Sequence, residues 1–402
     1  MGEQAAAASS FIDSVGIVTH FAYYDTPYGS RFDAVAKRLI ELGIKHVRDA
    51  VVVGQTLVCE RERMLATHGI RFGYVTSPAM PPSYISNWAN CVGPAIEAFE
   101  GPNEYDVSHP AADNAWVQTL RAYQATLYDT VKHDAATRNL AVIGPSLTTE
   151  SAYRAVGDLS RHLDFGNMHD YYSSREPGTS GWGDGGYGSI AYNLALARIV
   201  AGSKPIFATE TGWGTGVEPD EVTDAVQGVY VPRLFLDHFE EGVARTDEYE
   251  LLDEASPPFD HYGLLRSDLT PKPAYAALQS LLATLDDPGD GVTRRDVLRY
   301  SIDADSQGLR HALFEKRNGT FYLALWVERS SMDPVTHVPI AVPPRAVRAR
   351  TERDAELTPY TYDSGEHLRR GSAAHRELTV TLDDRVAIIR IVPSAGAGTT
   401  SR

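Results

Sequence analysis

The chain has 402 residues, 43% of them hydrophobic and 22% charged, an ordinary globular balance with room for one large unit and a smaller one. Its formal charge of −16 argues against nucleic acid or an anionic membrane surface as partner, since both require a basic face, and is compatible with a neutral substrate. No stretch reaches the roughly 20 apolar residues of a membrane span.

Residues 1–10 are rich in Ala and Ser and read as a flexible tail; they lack the basic and apolar regions of a secretory leader, so secretion after loss of a leader and retention in the cytoplasm both stay open. From there to about residue 287, strand-like apolar runs alternate with helical patterns. The strands are Val15 to His20, Ile44 to Arg48, Ile70 to Thr76, Ile96 to Glu104, Leu140 to Pro145, Leu163 to Tyr171, Pro205 to Glu210 and Val243 to Leu251. A helix is expected to open at Ser30, with Asp33 three residues on, and another to carry the stripe Trp116, Leu120, Tyr123, Leu127 and Val131. Cys59 and Cys91 are the two cysteines, either bridged or two buried thiols.

Eight strand-helix units in this length predict a closed (β/α)₈ TIM barrel, an α/β fold, over residues 11–287. The open doubly wound alternative lacks its Gly-rich turn after the first strand. After a helix from about Pro273 to Leu285, the tract Asp286 to Gly291 marks a boundary. Residues 288–394, with runs at His311 to Phe314, Phe321 to Val327, Val338 to Val342, Leu357 to Tyr362 and Leu378 to Val392, read as a small antiparallel β-sandwich, and 395–402 as a disordered tail.

In such a barrel, polar residues at the carboxyl ends of strands converge on one mouth. His20, Arg48, Asn103, Glu104, His169, Tyr171, Glu210 and Glu250 fall there. Two carboxylates suffice to cleave a glycosidic bond, one protonating the leaving oxygen while the other attacks the sugar. Glu104, in Glu100-Gly101-Pro102-Asn103-Glu104, and Glu210, in Ala208-Thr209-Glu210-Thr211-Gly212-Trp213, are the candidates, three strand-helix units apart. Arg48 either holds Glu210 ionised or pairs with Glu100 inside the barrel. His169 and Tyr171, two residues apart, share a strand face from which they contact Glu104, Glu210 or substrate. His20 is a core histidine or a sugar ligand, and Glu250 a substrate ligand or an ion-pair partner. A loop between Ser173 and Ser189 with six glycines carries Trp182 and Tyr187, and Trp182 is expected to stack on sugar.

These tracts resemble the large clan of retaining (β/α)₈ glycoside hydrolases, clan A, across roughly residues 15 to 285. In that clan an Asn-Glu pair ends the fourth strand and the nucleophile ends the seventh in a tract similar to Thr209 to Trp213; Tyr262 to Arg266 and Thr270 to Tyr275 look like its eighth loop and helix. Gly101-Pro102 before Asn103 depart from the commonest pattern. The trailing β-domain is similar to that of families thirty and thirty-nine. The resemblance implies a covalent intermediate on Glu210, proton transfers by Glu104, an Asn103 contact to the sugar, a Trp213 sugar platform, an oligosaccharide, polysaccharide or simpler glycoside as substrate, a β-type bond and no cofactor or metal. Three alternatives remain: a transglycosidase using the same residues, a metal-dependent sugar isomerase with His20, His169, Asp170, Glu104 and Glu210 as ligands, and a catalytically silent carbohydrate-binding protein. The oligomeric state leaves no mark in the sequence.

Overall fold

The computed structural model describes residues 2–52, 54–254, 261–289, 291–363 and 366–394, so the expected tail at 395–402 lies outside the described residues. Eight parallel strands form the barrel: β1 (Val15–Val18), β2 (His46–Ala50), β3 (Arg71–Thr76), β4 (Ile96–Pro102), β5 (Ala141–Ile143), β6 (Gly166–His169), β7 (Ile206–Thr211) and β8 (Arg245–Glu248). Their order around the sheet is β5-β4-β3-β2-β1-β8-β7-β6. The seam between β5 and β6 is closed by a parallel bridge between Ile143 and Phe165, with Gly144 N–H donating to the Phe165 carbonyl at 2.8 Å.

Strands covered on both faces bury most of their residues, so β1 and the start of β7 read as apolar runs, while β8, Arg245-Thr246-Asp247-Glu248, buries polar side chains instead. Val15–Val18 is buried throughout. The helices lay their apolar stripes on this cylinder. On Trp116–His133 the buried positions are Leu120, Gln124, Leu127 and Val131, at helical spacing. The expected helix start at Ser30 is displaced: Thr26 caps a short helix, Pro27–Ser30, Ser30 Oγ donates back to the Thr26 carbonyl at 3.0 Å, and the longer helix runs Phe32–Leu42. A disulfide joins Cys59 on the helix Thr56–Ala66 to Cys91 on Ser83–Val92.

Beyond the barrel, two antiparallel sheets face each other. One has four strands in the order Gly2–Gln4, Val297–Asp303, Arg345–Thr351, Glu377–Leu382; the other is built on Ala355–Tyr362, Ala387–Pro393, Phe321–Val327 and Leu309–Glu315, with Ala6–Ala7 at its edge. Leu298, Tyr300 and Val347 of the first meet Leu323, Leu325, Leu357 and Ile389 of the second in a separate core. Alternate residues on the other face of the second sheet, Ala312, Phe314, Ala324 and Trp326, join the barrel's core. Phe314 lies 5.2 Å from Phe11 and 5.5 Å from Phe239 between ring centres. Phe321–Val327 is thus buried on both faces.

Three expectations change here. Residues 2–7 are not a loose tail: Gly2–Gln4 pairs with Val297–Asp303, and Ala6–Ala7 with Leu309–Glu315, because their backbone donors complete sheets that otherwise have open edges. Val338 to Val342 forms no strand, since Pro339, Pro343 and Pro344 remove ladder donors; its pairing is an isolated bridge between Met332 and Pro339. Leu378 to Val392 is two strands, Glu377–Leu382 and Ala387–Pro393, separated by the acidic turn at Asp383 and Asp384.

Candidate active site

The site is assembled around one guanidinium. Arg48, on β2, is buried; its Nε donates to Glu100 Oε2 at 2.7 Å and its Nη2 to Glu100 Oε1 at 2.9 Å. The same Nη2 donates to Asn103 Oδ1 at 2.7 Å, and Nη1 to Glu210 Oε1 at 2.6 Å. Arg48 therefore touches both Glu100 and Glu210, and the contacts are linked: the pair with Glu100 fixes the fork that reaches Glu210. Glu100 in turn accepts from Asn167 Nδ2 at 3.0 Å and Thr209 Oγ1 at 3.1 Å, so β2, β4, β6 and β7 are cross-tied beneath the mouth.

Glu104 follows β4 in a left-handed backbone conformation, φ 42°, that a residue with a side chain rarely adopts. Ser146 Oγ holds its backbone N–H at 2.9 Å, and His169 Nδ1 lies 2.8 Å from its Oε1. Glu210, on β7, accepts from Tyr171 Oη at 3.0 Å and has His169 Nδ1 3.5 Å from its Oε2. Distant in sequence, the two carboxylates meet here: one oxygen of each and a ring nitrogen of His169 all lie within 4.8 Å of one another.

Their electrostatics differ. Burial works against the charged form of Glu210, but the charges of His169 and Arg48 and the hydrogen bonds from Arg48 and Tyr171 outweigh it and hold the carboxyl below its usual range. Burial also works against protonated His169; the Glu210 charge and the contact with Glu104 overcome it and push the imidazole up. Burial and the Glu210 charge together push the Tyr171 phenol well above its ordinary value, so it remains a donor.

The remaining expected residues divide. His20, after β1, and Glu250, after β8, sit together at the ends of the strands next to those of Arg48 and Glu210, His20 Nε2 3.4 Å from Glu250 Oε2. Among the described residues neither Glu250 oxygen has a hydrogen-bond partner, and the carboxylate is fully buried. Trp213 is no sugar platform. The ring is 1% exposed, stacks on Tyr172 at 5.5 Å, and its Nε1 donates to the Arg175 carbonyl at 3.0 Å. Trp182 packs within its own loop, under the Arg175 guanidinium at 4.3 Å and against Gly188, where any Cβ would strike the indole. The ring this loop offers to the cleft is Tyr187, about half exposed. With Tyr153, Tyr171, Tyr192, Leu147 and Leu196 it lines a cavity of about 210 Å³ beside Glu104 and His169.

A metal can be asked of two groups, Glu104 with His169 and Glu210, and His20 with Glu250 and Glu254, each bringing three donor atoms within 4.8 Å of one another. The isomerase reading needs Asp170 in the first group. Asp170 instead faces the barrel wall, accepting from Tyr172 Oη at 2.6 Å with His238 Nε2 at 3.1 Å. Glu100, Asn167, Thr209 and Ser146 were not among the expected site residues. Asn167 had a legible signal, since it lies two residues before His169 on the same face of β6.

No protein-family model matches the chain, and neither does any curated protein. Solved structures do. A family 39 glycoside hydrolase from the gut symbiont Bacteroides cellulosilyticus WH2 superposes with a TM-score of 0.63 over 96% of this chain and 82% of its own, at 15% identity. SrfJ from Salmonella typhimurium does so at 0.52 over 98% and 90%, at 9% identity. GH5_18 from Bifidobacterium longum subsp. longum, crystallised in complex with Manb1-4GlcNAc, gives 0.50 over 67% and 78%, at 16% identity. The chain shares its fold with these structures, and the first two match nearly its whole length, trailing sheets included.

Proposed function

We propose that this protein is a retaining glycoside hydrolase that cleaves a β-type glycosidic bond by double displacement. Glu210 attacks the anomeric carbon and Glu104 delivers a proton to the leaving oxygen; Glu104 then takes a proton from water as the glycosyl-enzyme is hydrolysed. The observation that carries this reading is the convergence of the two carboxylates and His169 within 4.8 Å. An inverting pair stands about 6.5 to 9.5 Å apart to admit water, and a retaining pair about 5 to 5.5 Å.

The two acids are supported for different tasks. Arg48, Tyr171 and His169 keep Glu210 anionic until it attacks. His169 also touches Glu104, so one ring spans the proton donor and the nucleophile. Tyr187, Tyr192 and Tyr153 line the Glu104 side, where a leaving sugar would stack its C–H face on a ring. The chemistry needs no cofactor. The Cys59–Cys91 bridge supports an oxidising, extracellular setting, and among the described residues no helix is long and apolar enough to cross a membrane.

A panel of 2-fluoro glycosides, read by mass spectrometry of the digested protein, tests the assignment. The label is expected on the peptide containing Glu210, and Glu210→Gln should abolish both labelling and turnover. Glu104→Ala should lose about 10²- to 10⁴-fold on natural glycans while sparing aryl glycosides whose leaving groups need little protonation. Label on another residue, or full Glu104→Ala activity on natural glycans, overturns the roles.

A further inference from the structure

The geometry points to a second ligand position after the ends of β1 and β8: we propose that His20, Glu250 and Glu254 bind a cation, supplied either by an ammonium substituent on the sugar or by a divalent metal ion. His20 Nε2 lies 3.4 Å from Glu250 Oε2 and 3.7 Å from Glu254 Oε1, and these three donors are mutually within 4.8 Å. Nothing among the described residues satisfies them. Both oxygens of Glu250, Oε1 of Glu254 and Nε2 of His20 are without hydrogen-bond partners, and so is the buried hydroxyl of Tyr28 beside them.

An unpaired carboxylate out of water is costly, by several kcal/mol, unless a proton or a cation meets it. Glu254, Asp253 and Glu210 add further carboxyl groups around this corner. The cations within reach are committed elsewhere. Arg48 is shared among Glu100, Glu210 and Asn103, and Lys272 is held by Asp253, Thr215 and the His261 carbonyl. Residues 255–260, which follow Glu254, contain no Lys or Arg. Neutral sugar hydroxyls would satisfy these oxygens without relieving the repulsion among Glu210, Glu250 and Glu254. A cation does both.

The separations suit either source. A metal about 2.1 Å from each donor places tetrahedral ligands about 3.4 Å apart. An ammonium nitrogen about 2.8 Å from each acceptor spreads them to about 4.6 Å. The ammonium source rests on the glycosidase reading, because it places the sugar being cleaved between Glu210 and this corner; the metal source does not.

Calorimetry on the full chain at pH 7 separates the sources, titrating Zn²⁺ and Mn²⁺ in one arm and the trimer of glucosamine against cellotriose in the other. The two trisaccharides share a skeleton and differ in ammonium for hydroxyl. The expected result is stoichiometric metal binding or at least tenfold tighter binding of the amino trimer. Glu250→Gln should weaken that binding at least tenfold, while Glu377→Gln, an exposed acid on the distant sheet, should leave it unchanged. Glu254→Gln, at the more open edge of the corner, serves if the buried substitution does not fold. Neither probe binding, no preference for the amino trimer without metal binding, or binding indifferent to both site variants overturns the proposal. A protein labelled on Glu210 that binds neither probe loses this corner alone; one that binds metal here but takes no label loses the glycosidase reading and keeps the corner.

Discussion

Arg48→Lys keeps the charge and removes the fork. The guanidinium makes four hydrogen bonds, two to Glu100, one to Asn103 and one to Glu210, in a planar geometry that a lysine ammonium cannot reproduce. A lysine reaching toward Glu100 gives up at least one charge-assisted bond of about 1.5 to 3 kcal/mol and strains another, so a stability loss of about 3 kcal/mol follows. That stays below the 3 to 5 kcal/mol or so of deleting one member of a buried pair outright. If the lost bond is the one to Glu210, about 3 kcal/mol withheld from the transition state is roughly a hundredfold in kcat. The sign with pH is fixed by Glu210. A carboxyl depressed in the folded state contributes stability above its unfolded pKa and loses it as pH falls through the folded value. The gap between parent and variant should therefore be widest at neutral pH and narrow in acid, while the acid limb of kcat/KM moves to higher pH as Glu210 is held less firmly. Urea denaturation at pH 7 and pH 4, with pH-rate profiles on an aryl glycoside, measures both. A variant with the parent's urea midpoint and acid limb would refute the idea that one side chain holds the site together.

Trp213→Ala should act on stability, costing about 3 to 5 kcal/mol by calorimetric or urea unfolding, with KM little changed in the surviving enzyme, because the ring is core rather than cleft. A large KM effect with stability intact would return it to the substrate. Cys59→Ser with Cys91→Ser releases a cross-link spanning 32 residues and should lower unfolding free energy by about 3 to 4 kcal/mol, read as a lower urea midpoint that reducing agent no longer shifts.

The barrel was legible because several of its strands, covered on both faces, write themselves as apolar blocks; His169 closes β6 and Tyr171 lies two residues beyond it, and both reach the two carboxylates. Where a side chain depends on a local reversal, the letters give no direction. At Gly212, φ 148°, the backbone takes a course in which a Cβ would strike the Tyr249 carbonyl, and Trp213 turns inward beneath Arg175. Trp182 and Tyr187 share a loop whose glycines erase any periodicity, so the preference for Trp182 had no positional signal behind it, and it is Tyr187 that lines the cavity. Arg345–Thr351 alternates basic residues with small ones, and its buried half, Val347, Ala349 and Thr351, is too sparse to register as a strand. Glu100 was visible only as a possible partner for Arg48. That it also ties Asn167 and Thr209 is a fact of four strands meeting, which no single run of residues contains.

The pairing of Gly2–Gln4 and Ala6–Ala7 with strands about three hundred residues later means that the opening segment belongs to the sheets that follow the barrel rather than to the barrel it precedes. A boundary drawn at one point along the sequence cannot part these units. Cutting near residue 287 would strand the opening segment on one fragment and its partners on the other, so an attempt to express the trailing sheets alone should supply that segment again, as a graft or as an added peptide.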